Sequence, residues 1–474
     1  MADHAPKNSR RKFQQAAGAA GVATITAPMP GIRSDRGWSR SIAPKSASWY
    51  AGLLLAAVVL AGSPQIAMAE KDHDSEIKQL AARVAELEAL VQQLVAAQPS
   101  VAVPESIVES VPLREMPEQP RNGFGGYIKA DAMFSKYSAG DLAPGSAGTQ
   151  FYIPATVPVG GVGGDYDANF QARESRINFR AAHETSGGNS LAAFLEMDFF
   201  LSPGGDDRVS NSYNPRLRHA FAKFNNWTVG QTWTTFQDVG ALPDLLDFIG
   251  PSEGTVFGRQ GLIRYTNGAW ELAAENPETT ITPFGGGERI VTNDGAVPDL
   301  VARYTVSLNN GYIKIAGLAR RLHYDTNEQS DSETAFGLSL SGKREYGMDD
   351  LRWMVTIGSG TGRYLGLNTA NDAVLDANGS LNAIDEFGGF VAYRHFWRAN
   401  LRSSITLSYL SIDNDTDLTG LGVTKDVYSF HANLLFEPIP KLMIGGEVMY
   451  AERETEGGLD GGLTRFLFST KYGF

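Results

Sequence analysis

The final ten residues read Arg465-Phe466-Leu467-Phe468-Ser469-Thr470-Lys471-Tyr472-Gly473-Phe474. On an extended chain successive side chains point to opposite faces. Phe466, Phe468, Thr470, Tyr472 and Phe474 therefore share one face, while Arg465, Ser469 and Lys471 share the other. The same period-two pattern runs back through the chain. Ile128, Ala130, Ala132 and Phe134 alternate with Lys129, Asp131 and Ser135. Ile177, Phe179 and Ala181 alternate with Arg176, Asn178 and Arg180, and Ala193, Leu195, Met197 and Phe199 flank Glu196 and Asp198. Leu300, Ala302, Tyr304, Val306 and Leu308 alternate with Arg303, Thr305 and Ser307, as do Tyr428, Phe430, Ala432, Leu434 and Phe436 with Ser429, His431 and Asn433.

A soluble sandwich also alternates, with its apolar face turned inward. Two features favour a membrane wall instead. The runs are about ten residues, the length of tilted membrane strands, against ~5 to 6 in soluble sheets. Charges sit mid-strand opposite an aromatic and aliphatic face, as a water-filled lumen inside a lipid-facing wall requires. Sixteen such segments fall within residues 123–474, 22 residues per strand and connection. The fold class read from this is all-β: a transmembrane antiparallel β-barrel of about 16 strands. The aromatic last strand, with Phe466, Phe468, Tyr472 and the terminal Phe474, resembles the signal read by the machinery that inserts outer-membrane barrels, a partner during biogenesis.

Composition narrows the function. With 52 Gly and 48 aromatics in 474 residues the chain is turn-rich and β-rich, and the absence of Cys excludes disulfides, thiolate metal sites and cysteine nucleophiles. A net charge of −12 argues against nucleic acid as a partner. The seven histidines, His4, His73, His183, His219, His323, His395 and His431, fall in no nucleophile, metal or phosphate motif. The expectation is therefore no enzyme, no metal and no cofactor. Gly160 to Gly164, Gly285 to Gly287 and Gly457-Gly458 read as turns or loops.

Residues 1–69 read as a targeting region. Arg36, Arg40 and Lys45 precede an apolar run over residues 51–62, too short for a membrane helix, and Ala67-Met68-Ala69 gives a cleavage site. Ser9-Arg10-Arg11-Lys12-Phe13 resembles a twin-arginine signal, weighed against a start codon assigned too early, with Met29 as an alternative. Removal of residues 1–69 leaves 33 Lys and Arg against 51 Asp and Glu, a net charge of −18. Within residues 70–98, Ile77, Leu80, Val84, Leu87, Val91 and Leu94 are spaced 3, 4, 3, 4 and 3, a heptad seam. Pro99, Pro104, Pro112, Pro117 and Pro120 make residues 99–122 an extended tether. A tethered helix has nothing in its own chain to cover this seam, so two- or three-stranded self-association is expected.

The heptad segment, the Pro-rich tether, Gly125-Gly126-Tyr127-Ile128-Lys129, Arg216-Leu217-Arg218-His219-Ala220-Phe221 and above all Val229-Gly230-Gln231-Thr232-Trp233-Thr234-Thr235-Phe236 together resemble the DcaP-like trimeric porins of Gram-negative bacteria. The resemblance covers residues 74–474. It implies a sixteen-stranded homotrimeric channel, a periplasmic N-terminal coiled coil, and small anionic solutes such as dicarboxylates as cargo. Outer-membrane lipid and lipopolysaccharide are then its surroundings.

The stretch 238–258 has the position and the mixed apolar and acidic content of a loop that folds inward and narrows the barrel. Asp238, Asp244, Asp247 and Glu253 are its acids. Arg173, Arg176, Arg180, Arg216, Arg218, Arg259, Arg264 and Arg303 are nominated as pore-lining, because a guanidinium stays charged and can hold a carboxylate through two parallel bonds. The competing reading is that they brace strands by pairing with Glu174, Glu196 and Asp198. Facing at Arg216 and Arg218 is ambiguous, since both alternating sets there are mixed. The expected function is a passive outer-membrane diffusion channel preferring small anions, and the alternative is a structural or adhesive barrel with a plugged lumen and a periplasmic tether.

Overall fold

The computed structural model describes residues 121–474, apart from 144, 203, 206–209 and 327–328. The targeting region, the heptad seam from Ile77 to Leu94 and residues 99–120 of the tether lie outside the described residues.

The wall begins with β1 (Arg121–Tyr137), β2 (Asp167–Gln171), β3 (Arg176–Glu184), β4 (Ser190–Asp198), β5 (Arg216–Phe224), β6 (Trp227–Trp233), β7 (Arg259–Asn267) and β8 (Trp270–Glu275). It continues, after β9 (Thr279–Thr282) and β10 (Ile290–Thr292), with β11 (Asp299–Leu308), β12 (Gly311–Asp325), β13 (Ser330–Tyr346) and β14 (Asp349–Ser359). Beyond β15 (Ala373–Leu375) and β16 (Leu381–Ala383) come β17 (Asp385–Arg398), β18 (Leu401–Asp413), β19 (Thr424–Ile439), β20 (Leu442–Thr455) and β21 (Asp460–Gly473). Each wall strand pairs antiparallel with the next, and β1 closes the ring on β21 from Tyr127↔Gly473 to Tyr137↔Leu463. Both β2 and β3 lie along β1, so they form one wall strand broken at residues 172–175. The product is a closed 16-strand antiparallel β-barrel. No helix among the described residues is long and apolar enough to cross a membrane.

The alternation in the sequence is the alternation in the wall. Phe466, Phe468 and Tyr472 stand outside and are exposed, whereas Arg465 and Ser469 point inward and are buried. Tyr428, Phe430 and Leu434 on β19 are likewise exposed, and Ser429, His431 and Asn433 are buried. Closure also needs close backbone approach where β1 crosses β3. Gly126 has φ +152°, and a Cβ there would lie 2.0 Å from the Arg176 carbonyl oxygen.

Wall strands meet through two- to five-residue turns at the end where β21 finishes and, apart from the four-residue connections 326–329 and 456–459, through longer connections at the other. Four long connections turn inward, the first being residues 138–166, whose Tyr152 and Val157 pack against Met449, Ala451 and Leu463. Residues 234–258 enter the lumen. Residues 276–298 and 360–384 supply β9, β10, β15 and β16, which join in the order β10-β9-β15-β16. This small sheet packs Ile281, Ala373 and Leu381 against the inward-facing Leu322 and Ala335 of β12 and β13. Near β5 to β8 the wall is low, with strands of six to nine residues, against 15 to 17 in β12 and β13.

Candidate functional site

The connection 234–258 follows the inner wall because each of its first polar groups meets a partner on a different strand. Asp238 accepts from Lys314 Nζ at 2.7 Å and from Ser341 Oγ at 2.9 Å. Arg352 Nη1 donates to the Leu242 carbonyl at 2.6 Å. Asp244 Oδ2 accepts from Arg402 Nε at 2.6 Å and lies 3.4 Å from Arg394 Nη1. The Leu246 amide donates to Glu447 Oε2 at 2.6 Å, and its carbonyl accepts from Lys129 Nζ at 2.7 Å. Asp247 lies 3.5 Å from Arg465 Nη1 and accepts from the Tyr152 amide. Burial alone would raise the Asp244 carboxyl, but the guanidiniums of Arg402, Arg394 and Arg352 hold it below its ordinary value. Three of the four acids are thus neutralised, by cations on β12, β17, β18 and β21 that the nominated set did not contain. Glu253 faces no such cation.

The nominated arginines do not form one array. Four gather on the low-walled side. Arg216 grips Asp198 through two bonds of 2.8 and 2.7 Å. Arg218 bonds Glu196 and Asp198, both at 2.8 Å. Arg176 Nη1 stands 3.7 Å from Glu196, and its guanidinium lies 5.7 Å from the Phe248 ring centre. Arg259 lies 4.6 Å from the Trp233 ring centre, with its Nη1 buried and without a hydrogen-bond partner. Four guanidiniums around two carboxylates leave a local excess of positive charge. Arg216 and Arg259 also line a cavity of about 290 Å³ whose other walls include Phe151, Phe248, Phe257 and Leu367.

The ambiguous facing of Arg216 and Arg218 has a structural cause. The β4–β5 register passes from Glu196↔His219 to Met197↔Leu217, so Arg218 is the extra residue of a bulge. Bulges re-aim side chains. Arg216, Arg218 and His219 consequently all reach the interior, and the strict alternation fails there. The next strand secures this arrangement. Gln231 Nε2 donates to the carbonyls of Leu217 and Arg218 at 3.2 and 3.3 Å, Thr232 bonds His219 at 3.0 Å, and Trp233 packs 5.3 Å from the His219 ring. Gly230 has φ +130°, and a Cβ there would meet the Ala220 carbonyl oxygen at 2.3 Å.

The other four are separate. Arg264 donates to Thr235 Oγ1 at 2.7 Å and shares Glu271 with Arg303, which also bonds the Gln237 carbonyl. Arg173 stacks on Tyr213, 3.7 Å from the ring centre. Arg180 is exposed towards the short-turn end and bonds Asn178 at 3.3 Å.

A family model described as DcaP outer membrane protein matches residues 150–474. The chain belongs to the DcaP outer membrane protein family. Among solved structures, the outer membrane channel DcaP of Acinetobacter baumannii is 20% identical, with 75% of this chain and 97% of that chain covered and a TM-score of 0.63. OmpT of Vibrio cholerae is a looser likeness at 11% identity, covering 76% of this chain and 99% of that one with a TM-score of 0.46. No curated protein sequence matches the chain.

In this DcaP-family barrel the functional side chains that sequence reasoning missed are mostly anchors of the inward loops. Arg320 bonds Asp299 at 3.0 Å, Asp372 at 2.7 Å and the Gly360 carbonyl at 2.7 Å, which ties residues 360–384 to the wall. Arg363 stands 3.4 Å from Asp299. Lys129, Arg394, Arg402 and Arg465 hold residues 234–258. Position on the polar face of an alternating strand was the available signal for Lys129 and Arg465. Their partners lie on loops, which carry no periodicity.

Proposed function

We propose that the protein is a passive outer-membrane diffusion channel, working as a homotrimer, that favours small anions such as dicarboxylates. The observation that supports this most is the cluster of Arg176, Arg216, Arg218 and Arg259, whose charge exceeds that of Glu196 and Asp198. The loop acids Asp238, Asp244 and Asp247 are each paired with a cation outside the cluster, Lys314, Arg402 and Arg465, so their charge is already balanced. Selectivity follows the field where the path is narrow and water scarce, whereas charges elsewhere are screened within about 8 Å at physiological salt. A net charge of −18 on the chain after residue 69 is therefore compatible with an anion-selective passage. The family, and the printed description of the Acinetobacter relative as an outer membrane channel, agree with this reading. The heptad segment would sit in the periplasm on its tether, with lipid and lipopolysaccharide around the barrel.

A second reading, a structural barrel with an occluded lumen, draws on the four inward connections. Planar-bilayer recording of the purified protein separates the two. Stepwise insertion events with conductance, together with dicarboxylate uptake into protein-loaded liposomes, are expected of the channel. Intact insertion without conductance would establish the structural barrel.

A further inference from the structure

The returning limb of the inner loop is held differently from the descending one. The descending limb carries Asp238, Asp244 and Asp247, each against a cation. From Phe248 to Gly258 the only charged residue is Glu253. Its side chain is 0% exposed, and neither carboxylate oxygen accepts a hydrogen bond. An isolated charge in such surroundings is strongly disfavoured, and a carboxyl placed there keeps its proton. Burial pushes Glu253 above the usual carboxylate range, against smaller opposing effects of the Ser429 hydroxyl, its own backbone and His431.

The seat is built for close approach. The Gly254 amide donates to Ser408 Oγ at 3.1 Å, and a Cβ at Gly254 would meet the Gly389 carbonyl oxygen at 2.2 Å. A Cβ at Gly388 would lie 3.3 Å from the Glu253 carbonyl oxygen. Ser252 Oγ bonds the Tyr152 carbonyl at 3.1 Å. The groups around the carboxyl are mostly hydroxyls: Ser408 on β18, Ser429 on β19, and Tyr152, whose own hydroxyl is buried without a partner. Thr406 on β18, another buried hydroxyl without a partner, pairs in register with His431.

The charged and titratable neighbours are committed elsewhere. His431 Nδ1 is 3.1 Å from Glu447 Oε1 on β20. Asp247 is paired with Arg465 of β21, Arg402 of β18 with Asp244 and Glu437, and Glu386 of β17 accepts from Thr361 at 3.0 Å. From β14, Met354 Sδ meets the Val256 amide at 3.3 Å.

We propose that Glu253 is a proton-operated latch: as the neutral acid it seats residues 252–254 against β17, β18 and β19, and on losing its proton to solvent it drives this limb off the wall into the lumen, while the descending limb stays pinned. The sign is that of an acid stabilised in its protonated form. Seating is complete below the ordinary glutamate value of about 4.3 and weakens about tenfold per pH unit from there up to the seated value. This holds whether or not the passage prefers anions.

The test uses the full-length protein and its Glu253→Gln variant, whose amide imitates the neutral acid. Amide hydrogen exchange of residues 252–256, corrected for the intrinsic pH dependence of exchange, is followed from about pH 4.5 to about pH 8. The wild type should gain more than about tenfold in opening across this range, and the variant should not change. Equal profiles in the two proteins overturn the latch. If Glu253→Gln fails to fold, the wild type alone decides through exchange at residues 242–247. A limb-specific gain at 252–256 supports the latch, and a uniform gain along both limbs overturns it. Single-channel current adds a readout that depends on the channel reading. Loss of current with rising pH in the wild type only is the expected result, and pH-independent current beside pH-dependent exchange would overturn movement into the lumen without touching the protonation.

Discussion

Arg402 Nε and Asp244 Oδ2 meet at 2.6 Å across 158 positions of sequence. This contact joins a wall strand to the inner loop, and Arg394 reaches the same oxygen at 3.4 Å. The path left open beside the loop is therefore set by ion pairs between loop and wall.

The first prediction concerns that anchor. Asp244→Asn removes a charge-assisted bond worth about 1.5–3 kcal/mol. Since each 1.4 kcal/mol is tenfold, amide exchange at residues 242–247 should accelerate roughly tenfold to a hundredfold, and open-channel noise should rise, with the barrel still folded. Exchange at the wild-type rate would show that the other contacts suffice.

Acid should act on the two limbs in opposite senses. The folded Asp244 carboxyl is held below its ordinary value, so its contribution is fully present above about pH 3.9 and is lost as pH falls through the folded value. The seat of Glu253 tightens over the same fall. Exchange measured between about pH 5 and about pH 3, corrected for its intrinsic pH dependence, should therefore rise at residues 242–247 while it falls or stays level at 252–256.

Gln231 should prove to be a positioning residue for the arginine cluster. Gln231→Leu leaves the two bulge carbonyls without their side-chain donor and frees Arg218 to move. Anion preference should fall while total conductance and thermal resistance change little. A variant with unchanged reversal potential would make the Gln231 contacts purely structural.

The heptad seam gives a prediction about assembly. Each buried Leu or Val is worth roughly 1.5–3 kcal/mol. Leu80→Asp combined with Leu87→Asp should weaken the trimer without abolishing it, as read by thermal dissociation on semi-native gels. An isolated peptide of residues 74–98 that stays monomeric and unfolded at high concentration would count against self-association.

The wall was legible in the sequence because a strand that divides lipid from water must alternate, and β19 and β21 do so without exception at their central positions. Two things were not legible. Arg218 and His219 sit at a bulge, where the two-residue period is broken by one extra residue and inward facing cannot be counted from either side. The partners of the loop acids were missed because the loop meets β12, β17, β18 and β21 only after the ring has closed. The acids Asp238, Asp244, Asp247 and Glu253 were nominated together by composition, yet the fold divides them into three paired anchors and one carboxyl without a cation. Of the arginines, the nomination held four that cluster and four that do not, a distinction made by loop packing and not by strand pattern.

The most direct test of the account is the zero-current potential of the wild-type channel in a salt gradient, beside a variant carrying Arg176→Gln and Arg259→Gln. The account predicts an anion-selective potential for the wild type and a shift towards cation selectivity in the variant, with both still folded and conducting. A cation-selective wild type, or a variant with the same potential as the wild type, would contradict it.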